Sequence, residues 1–78
     1  MDIKIYPNPT NGKVYIDCGG LSTQGMQIQV TNSIGQIVLN RIIETDPGMI
    51  DLSGNVSGIY YLKVISDSGI KTEKVVLR

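Results

Sequence analysis

The chain has no histidine and no tryptophan, one cysteine, no excess of either charge and no long apolar run. Each absence removes a class of function. Without histidine, imidazole catalysis and the commonest metal ligand are missing, and no Ser or Cys has a partner base in the sequence to make it a nucleophile. Seven basic residues against seven acidic ones leave a formal net charge of zero, so the basic field on which nucleic-acid binding relies is absent. A single cysteine forms no internal disulfide, and the fold must rest on sheet hydrogen bonds and apolar faces. No apolar stretch approaches the roughly 20 residues of a membrane helix, and the opening Met1-Asp2-Ile3-Lys4-Ile5-Tyr6 lacks the charged-then-apolar layout of a secretory leader.

Asp17, Asp46, Asp51 and Asp67 fall at strand edges or turns, where Asp bonds to nearby backbone, and none has the close acidic spacing of a calcium loop. The glycines punctuate turns and do not spell a phosphate-binding Gly-x-x-x-x-Gly-Lys. No catalytic residue, metal site or cofactor is expected. The length, 78 residues, allows one domain that buries only about 60% of its unfolded surface, too little for a deep catalytic cleft beside a core. The abrupt start on a strand fits a piece from the end of a longer protein, residues 1–78 being one domain and Met1 an addition to it.

What is present is a row of short strands broken by Gly, Asn, Asp and Pro, with no helical stripe. Ile3-Lys4-Ile5-Tyr6 alternates until Pro7-Asn8-Pro9-Thr10-Asn11-Gly12 stops it, the prolines removing ladder donors and Asn11-Gly12 marking a turn. In Lys13-Val14-Tyr15-Ile16-Asp17-Cys18, the side chains of Val14, Ile16 and Cys18 share one face. Cys18 therefore reads as a small core residue, with nothing basic beside it to activate a thiol. Residues 19–25 form a glycine-rich connection. Met26-Gln27-Ile28-Gln29-Val30-Thr31-Asn32 alternates most cleanly, as expected of an antiparallel strand with one wet face. A turn at Asn32-Ser33-Ile34-Gly35, with Gly35 free to take a positive φ, leads into a strand over 36–43 and so predicts a hairpin. Pro47-Gly48 suits the middle of a type II turn. Met49-Ile50-Asp51-Leu52 is a short strand, and Asp67-Ser68-Gly69 turns the chain into a last strand, Ile70 to Arg78.

The strongest strand signal is Ile59-Tyr60-Tyr61-Leu62-Lys63-Val64-Ile65, apolar on one face and mostly so on the other, which predicts a central strand. Gly58 two residues before Tyr60 fits a sandwich corner where a tyrosine hydroxyl bonds back to backbone; the alternative is an ordinary buried tyrosine. Seven strands at this spacing, with no connection long enough for a helical crossover, predict an all-β antiparallel sandwich. Its expected core is Val14, Ile16, Met26, Ile28, Val30, Ile50, Leu52, Tyr60, Leu62, Val64, Val75 and Leu77.

Four motifs in order resemble one family. Tyr6-Pro7-Asn8-Pro9-Thr10-Asn11-Gly12 is similar to the opening of the type A C-terminal sorting domain of the Bacteroidetes type IX secretion system. Asn32-Ser33-Ile34-Gly35-Gln36 looks like its central hairpin turn, and Ile50-Asp51-Leu52-Ser53 with Gly58-Ile59-Tyr60 like its Gly-x-Tyr strand. Gly69 with Lys74-Val75-Val76-Leu77-Arg78 resembles its closing Lys-apolar-apolar segment. Cys18 departs from the family pattern, and Tyr61 stands where an aliphatic residue or Phe is common.

The resemblance implies an immunoglobulin-like β-sandwich of about seven short strands, and a non-enzymatic export signal behind an N-terminal cargo domain. Its implied partners are the type IX machinery and a sortase-like cysteine peptidase, with no nucleic acid and no membrane span. Its implied route is through the periplasm to the cell surface or beyond. Pro7, Asn8, Pro9, Gly12, Gly35, Gly58 and Tyr60 are then mainly structural. Lys74, Val75, Val76, Leu77 and Arg78 are the expected recognition strand, charged at either end and presenting an unpaired sheet edge that a receptor can extend. The competing readings are a spacer or carbohydrate-binding sandwich, poorly supplied by four aromatics without Trp, and a small enzyme.

Overall fold

The computed structural model describes residues 3–19, 26–45, 47–67 and 69–78. Within them lie seven strands: β1 (Lys4–Tyr6), β2 (Lys13–Asp17), β3 (Met26–Asn32), β4 (Ile37–Ile43), β5 (Gly48–Asp51), β6 (Gly58–Ser66) and β7 (Gly69–Leu77). They form two antiparallel sheets, one in the order β1-β2-β5 and the other β4-β3-β6-β7. The arrangement is the antiparallel sandwich expected, with β4 beside β3 as the predicted hairpin requires.

Period-two alternation decides what each sheet buries. Along β6, Tyr60, Leu62 and Val64 are buried, while Ile59 and Tyr61 on the opposite face are each 43% exposed. This strand is central, paired with β3 on one side and β7 on the other. Every side chain expected in the core is buried, and Ile3, Ile5, Cys18 and Ile43 join it. Cys18 lies inside, its Sγ 3.5 Å from Met26 Sδ.

The β3–β4 hairpin closes as its sequence dictates. Gly35 has φ +88°, its N–H donates to Asn32 O at 3.0 Å, and Asn32 Oδ1 accepts from the N–H groups of Ile34 and Gln36 at 3.1 and 2.9 Å. A register shift between Val30 and Thr31 then disturbs the ladder. Both Val38 and Leu39 pack partly against the core. A bulge has this effect because one extra residue breaks the alternation that sorts in from out.

One turn differs from expectation. Pro47-Gly48 does not form a type II turn, since Gly48 lacks the positive φ that turn needs. It is instead the buried first residue of β5, opposite Ile16. A Cβ there would lie 2.4 Å from Ile43 Cδ1, so packing rather than turn geometry requires glycine. The expected connection at 19–25 lies outside the described residues beyond Gly19, as do Asp46 and Ser68 in the two other turns.

Candidate functional site

The segment 7–12 is where the chain leaves the smaller sheet. Pro7 and Pro9 have no N–H to give a ladder, and both of their preceding peptide bonds are cis. The side-chain amide of Asn8 sets an N–H donor beside a carbonyl acceptor in the layout of a peptide group, and it is used as one. Nδ2 donates to Lys74 O at 2.7 Å, and Oδ1 accepts from Val76 N–H at 3.0 Å. Thr10 continues the contact as a parallel bridge beside Leu77. Its N–H donates to Val76 O at 2.8 Å and its carbonyl accepts from Arg78 N–H at 2.9 Å.

The loop is itself anchored from behind. Thr10 is 2% exposed; its hydroxyl donates to Lys13 O at 2.6 Å and accepts from Gly12 N–H at 3.0 Å. Gly12 O accepts from Leu52 N–H at 2.8 Å. Gly12 holds φ +153°, and a Cβ there would sit 3.1 Å from Ser53 Cβ, so a larger residue meets both a strained backbone and a near wall. Asp51 Oδ1 accepts from Ser53 N–H at 2.9 Å beside this contact. Hydrogen bonds from the Ser53 hydroxyl, then its N–H, with the nearby Lys13 charge, hold the Asp51 carboxyl below its ordinary range. Asp17 Oδ1 makes a comparable local contact, accepting from Gly19 N–H at 2.8 Å.

The Gly58-Ile59-Tyr60 motif borders the other side of the terminal strand. Gly58 stands opposite Leu77, Ile59 opposite Val76 and Tyr60 opposite Val75. The Tyr60 hydroxyl donates back to Val56 O, which is the sandwich corner expected and not merely a buried ring. The segment 55–60 and the β3–β4 turn line one shallow hollow of about 380 Å³, which includes Asn32, Ile34 and Val56. The four sequence motifs therefore meet at one end of the sandwich, with β7 between two of them, except for Gly69, which stands opposite Ser66 at the far end of β7.

Of the recognition residues expected there, Val75 and Leu77 are buried in the core, Lys74 and Arg78 are exposed, and Val76 is half-buried. The unpaired edge expected along Lys74–Arg78 is not there. Lys74 O, Val76 N–H, Val76 O and Arg78 N–H are all bonded to residues 8 and 10, because the chain after β1 crosses to the other sheet and covers β7. The clamp was missed in the sequence because its partners lie 66 and 68 residues apart. The available clue was an Asn between two prolines, polar but with no strand of its own to pair.

Among the described residues no group of three His, Cys, Asp or Glu side chains lies close enough to share a metal. Fold and site together define an all-β module whose separated motifs brace its last strand. A family model described as the secretion system C-terminal sorting domain matches residues 4–78, and the chain belongs to that family. It is thus a C-terminal sorting signal for type IX secretion. No curated protein matches the chain.

Proposed function

We propose that the domain is a non-catalytic signal of the type A class from a Bacteroidetes protein, read in the periplasm as a folded unit. In this reading the translocon recognises the terminal strand, Lys74 to Arg78, in the setting that Asn8 and Thr10 give it. A sortase-like cysteine peptidase then removes the domain, and the cargo is released or attached at the cell surface. The observation that carries the reading is the clamp: the opening Pro-Asn-Pro motif and the closing strand are one hydrogen-bonded structure. With Val75 and Leu77 in the core, Lys74, Val76 and Arg78 are what a receptor can touch without unfolding the sandwich.

The test is a periplasm-directed reporter followed by residues 2–78 in a type IX-competent cell. The intact fusion is expected at the surface or in the medium, and deletion of Lys74 to Arg78 is expected to hold it in the periplasm. Full export of the truncated fusion would remove this strand from the signal. Export of Lys74→Ala and Arg78→Ala fusions at the intact level would show that the rest of the sandwich is read instead.

A further inference from the structure

The four-stranded sheet has an outer face that nothing among the described residues covers. Strand alternation places Ile59, Tyr61 and Lys63 of β6 on it, and cross-strand register sets Val76 beside Ile59, Lys74 beside Tyr61 and Thr72 beside Lys63. Arg78 follows Val76 on the same side. The middle of the sheet continues outward as Gln29 and Thr31 of β3, opposite Lys63 and Tyr61. Within the four strands these cations have no acidic neighbour on their face: the only acidic residue there is Glu73, and it stands opposite core residue Leu62.

Apolar side chains among charges of one sign, with Ile65 and Ile70 and the β4 residues Ile37 and Ile42 extending the same face, are the layout of a protein-docking surface whose partner carries the opposite charge. We propose that this face docks an acidic protein surface in the export path, with Ile59, Tyr61 and Val76 at its centre and Lys63, Lys74 and Arg78 around them. The proposal rests on the export-signal reading and adds to it a residue outside the terminal strand, Lys63. A second copy of the chain is a poor occupant, because a two-fold contact would set lysine against lysine. An anionic membrane is a poor one too, since three cations around half-exposed aliphatic and aromatic side chains do not make the dense basic cluster that lipid headgroups attract.

The experiment uses the same reporter fusion, with Lys63→Glu compared to Arg41→Glu. Arg41 makes the same change in net charge but stands opposite core residue Ile28, off the outer face. Lys63→Glu is expected to lower export about tenfold or more, as like charges meeting in an interface would. Lys63→Arg is expected to restore it, and Arg41→Glu to stay within about twofold of wild type. Circular dichroism on the purified domains checks folding; if Lys63→Glu does not fold, Tyr61→Ser takes its place with the same expectation. Wild-type export by a folded Lys63→Glu or Tyr61→Ser fusion would overturn the proposal while leaving the export signal standing. Equal losses in Lys63→Glu and Arg41→Glu would overturn it in favour of net charge alone. Flotation with phosphatidylglycerol vesicles, or dimerisation seen by sedimentation, would assign the face to a membrane or a second copy if Lys63→Glu abolished it. Failure of the wild-type fusion to leave the periplasm would defeat the export reading and this proposal together.

Discussion

The two outer faces of the sandwich are built from the same kind of ladder but carry their charge differently. On the three-stranded sheet Lys4 stands opposite Asp17 and Lys13 opposite Asp51, with Tyr6 and Tyr15 stacked at 5.7 Å between them. Opposite charges and aromatic rings here face one another across the strands. On the four-stranded sheet Lys63, Lys74 and Arg78 have no such partner. A zero net charge therefore hides a division of labour. One face sets opposite charges across from one another, and the other carries cations alone.

The largest disruption strikes what both faces share. Leu62 is fully buried, and Leu62→Ala should cost about 2–5 kcal/mol through lost contacts and the cavity left behind. In so small a domain that can exceed the whole stability, so urea denaturation and export should fail together and both faces should be lost. A folded, exporting Leu62→Ala protein would mean that the core is not centred on β6.

Asn8→Ala separates the faces. It removes two hydrogen bonds to β7 and should destabilise by about 1–3 kcal/mol. The effect should fall on the four-stranded sheet, with chemical shifts of the Tyr6–Tyr15 ladder unchanged. Smaller still, Tyr60→Phe loses the bond to Val56 O and should cost about 0.5–1.5 kcal/mol in denaturant, with both sheets intact.

Asp51 tests the face of mixed charge by pH. Its folded pKa is depressed, so the stability it contributes is present above its unfolded value of about 3.9 and lost as pH falls through the lower folded value. Asp51→Asn should flatten the acid limb of the stability curve slightly and leave neutral-pH export unchanged. A steeper acid limb in the variant would show that the sign of this linkage is wrong.

Most of the fold was legible because local alternation dominates it. Met26, Ile28 and Val30, or Tyr60, Leu62 and Val64, announce their face without knowledge of any partner strand. What escaped depends on pairs distant in sequence. Gly48 looked like a turn residue because the neighbour that requires it, Ile43, matters only once β5 has folded back. The open edge expected for β7 was wrong because the side chain of Asn8 acts there as backbone, and no periodicity encodes that. The charged face was half visible: Lys74 and Arg78 stood out in the sequence, whereas Lys63 joins them only through the β6–β7 register.

The most direct measurement of the central claim, that the opening motif clamps the closing strand, is native-state amide exchange of β7 in the purified domain. In an antiparallel ladder successive N–H groups alternate between the two sides of a strand, so Val75 is directed toward β6 and Val76 toward Asn8. The clamp predicts that Val76 and Arg78 are protected in the wild type nearly as well as Val75, and that Asn8→Ala speeds Val76 alone by about tenfold or more, the scale set by losing one or two hydrogen bonds. Rapid exchange of Val76 in the wild type, beside a protected Val75, would contradict it and return the terminal strand to an open edge.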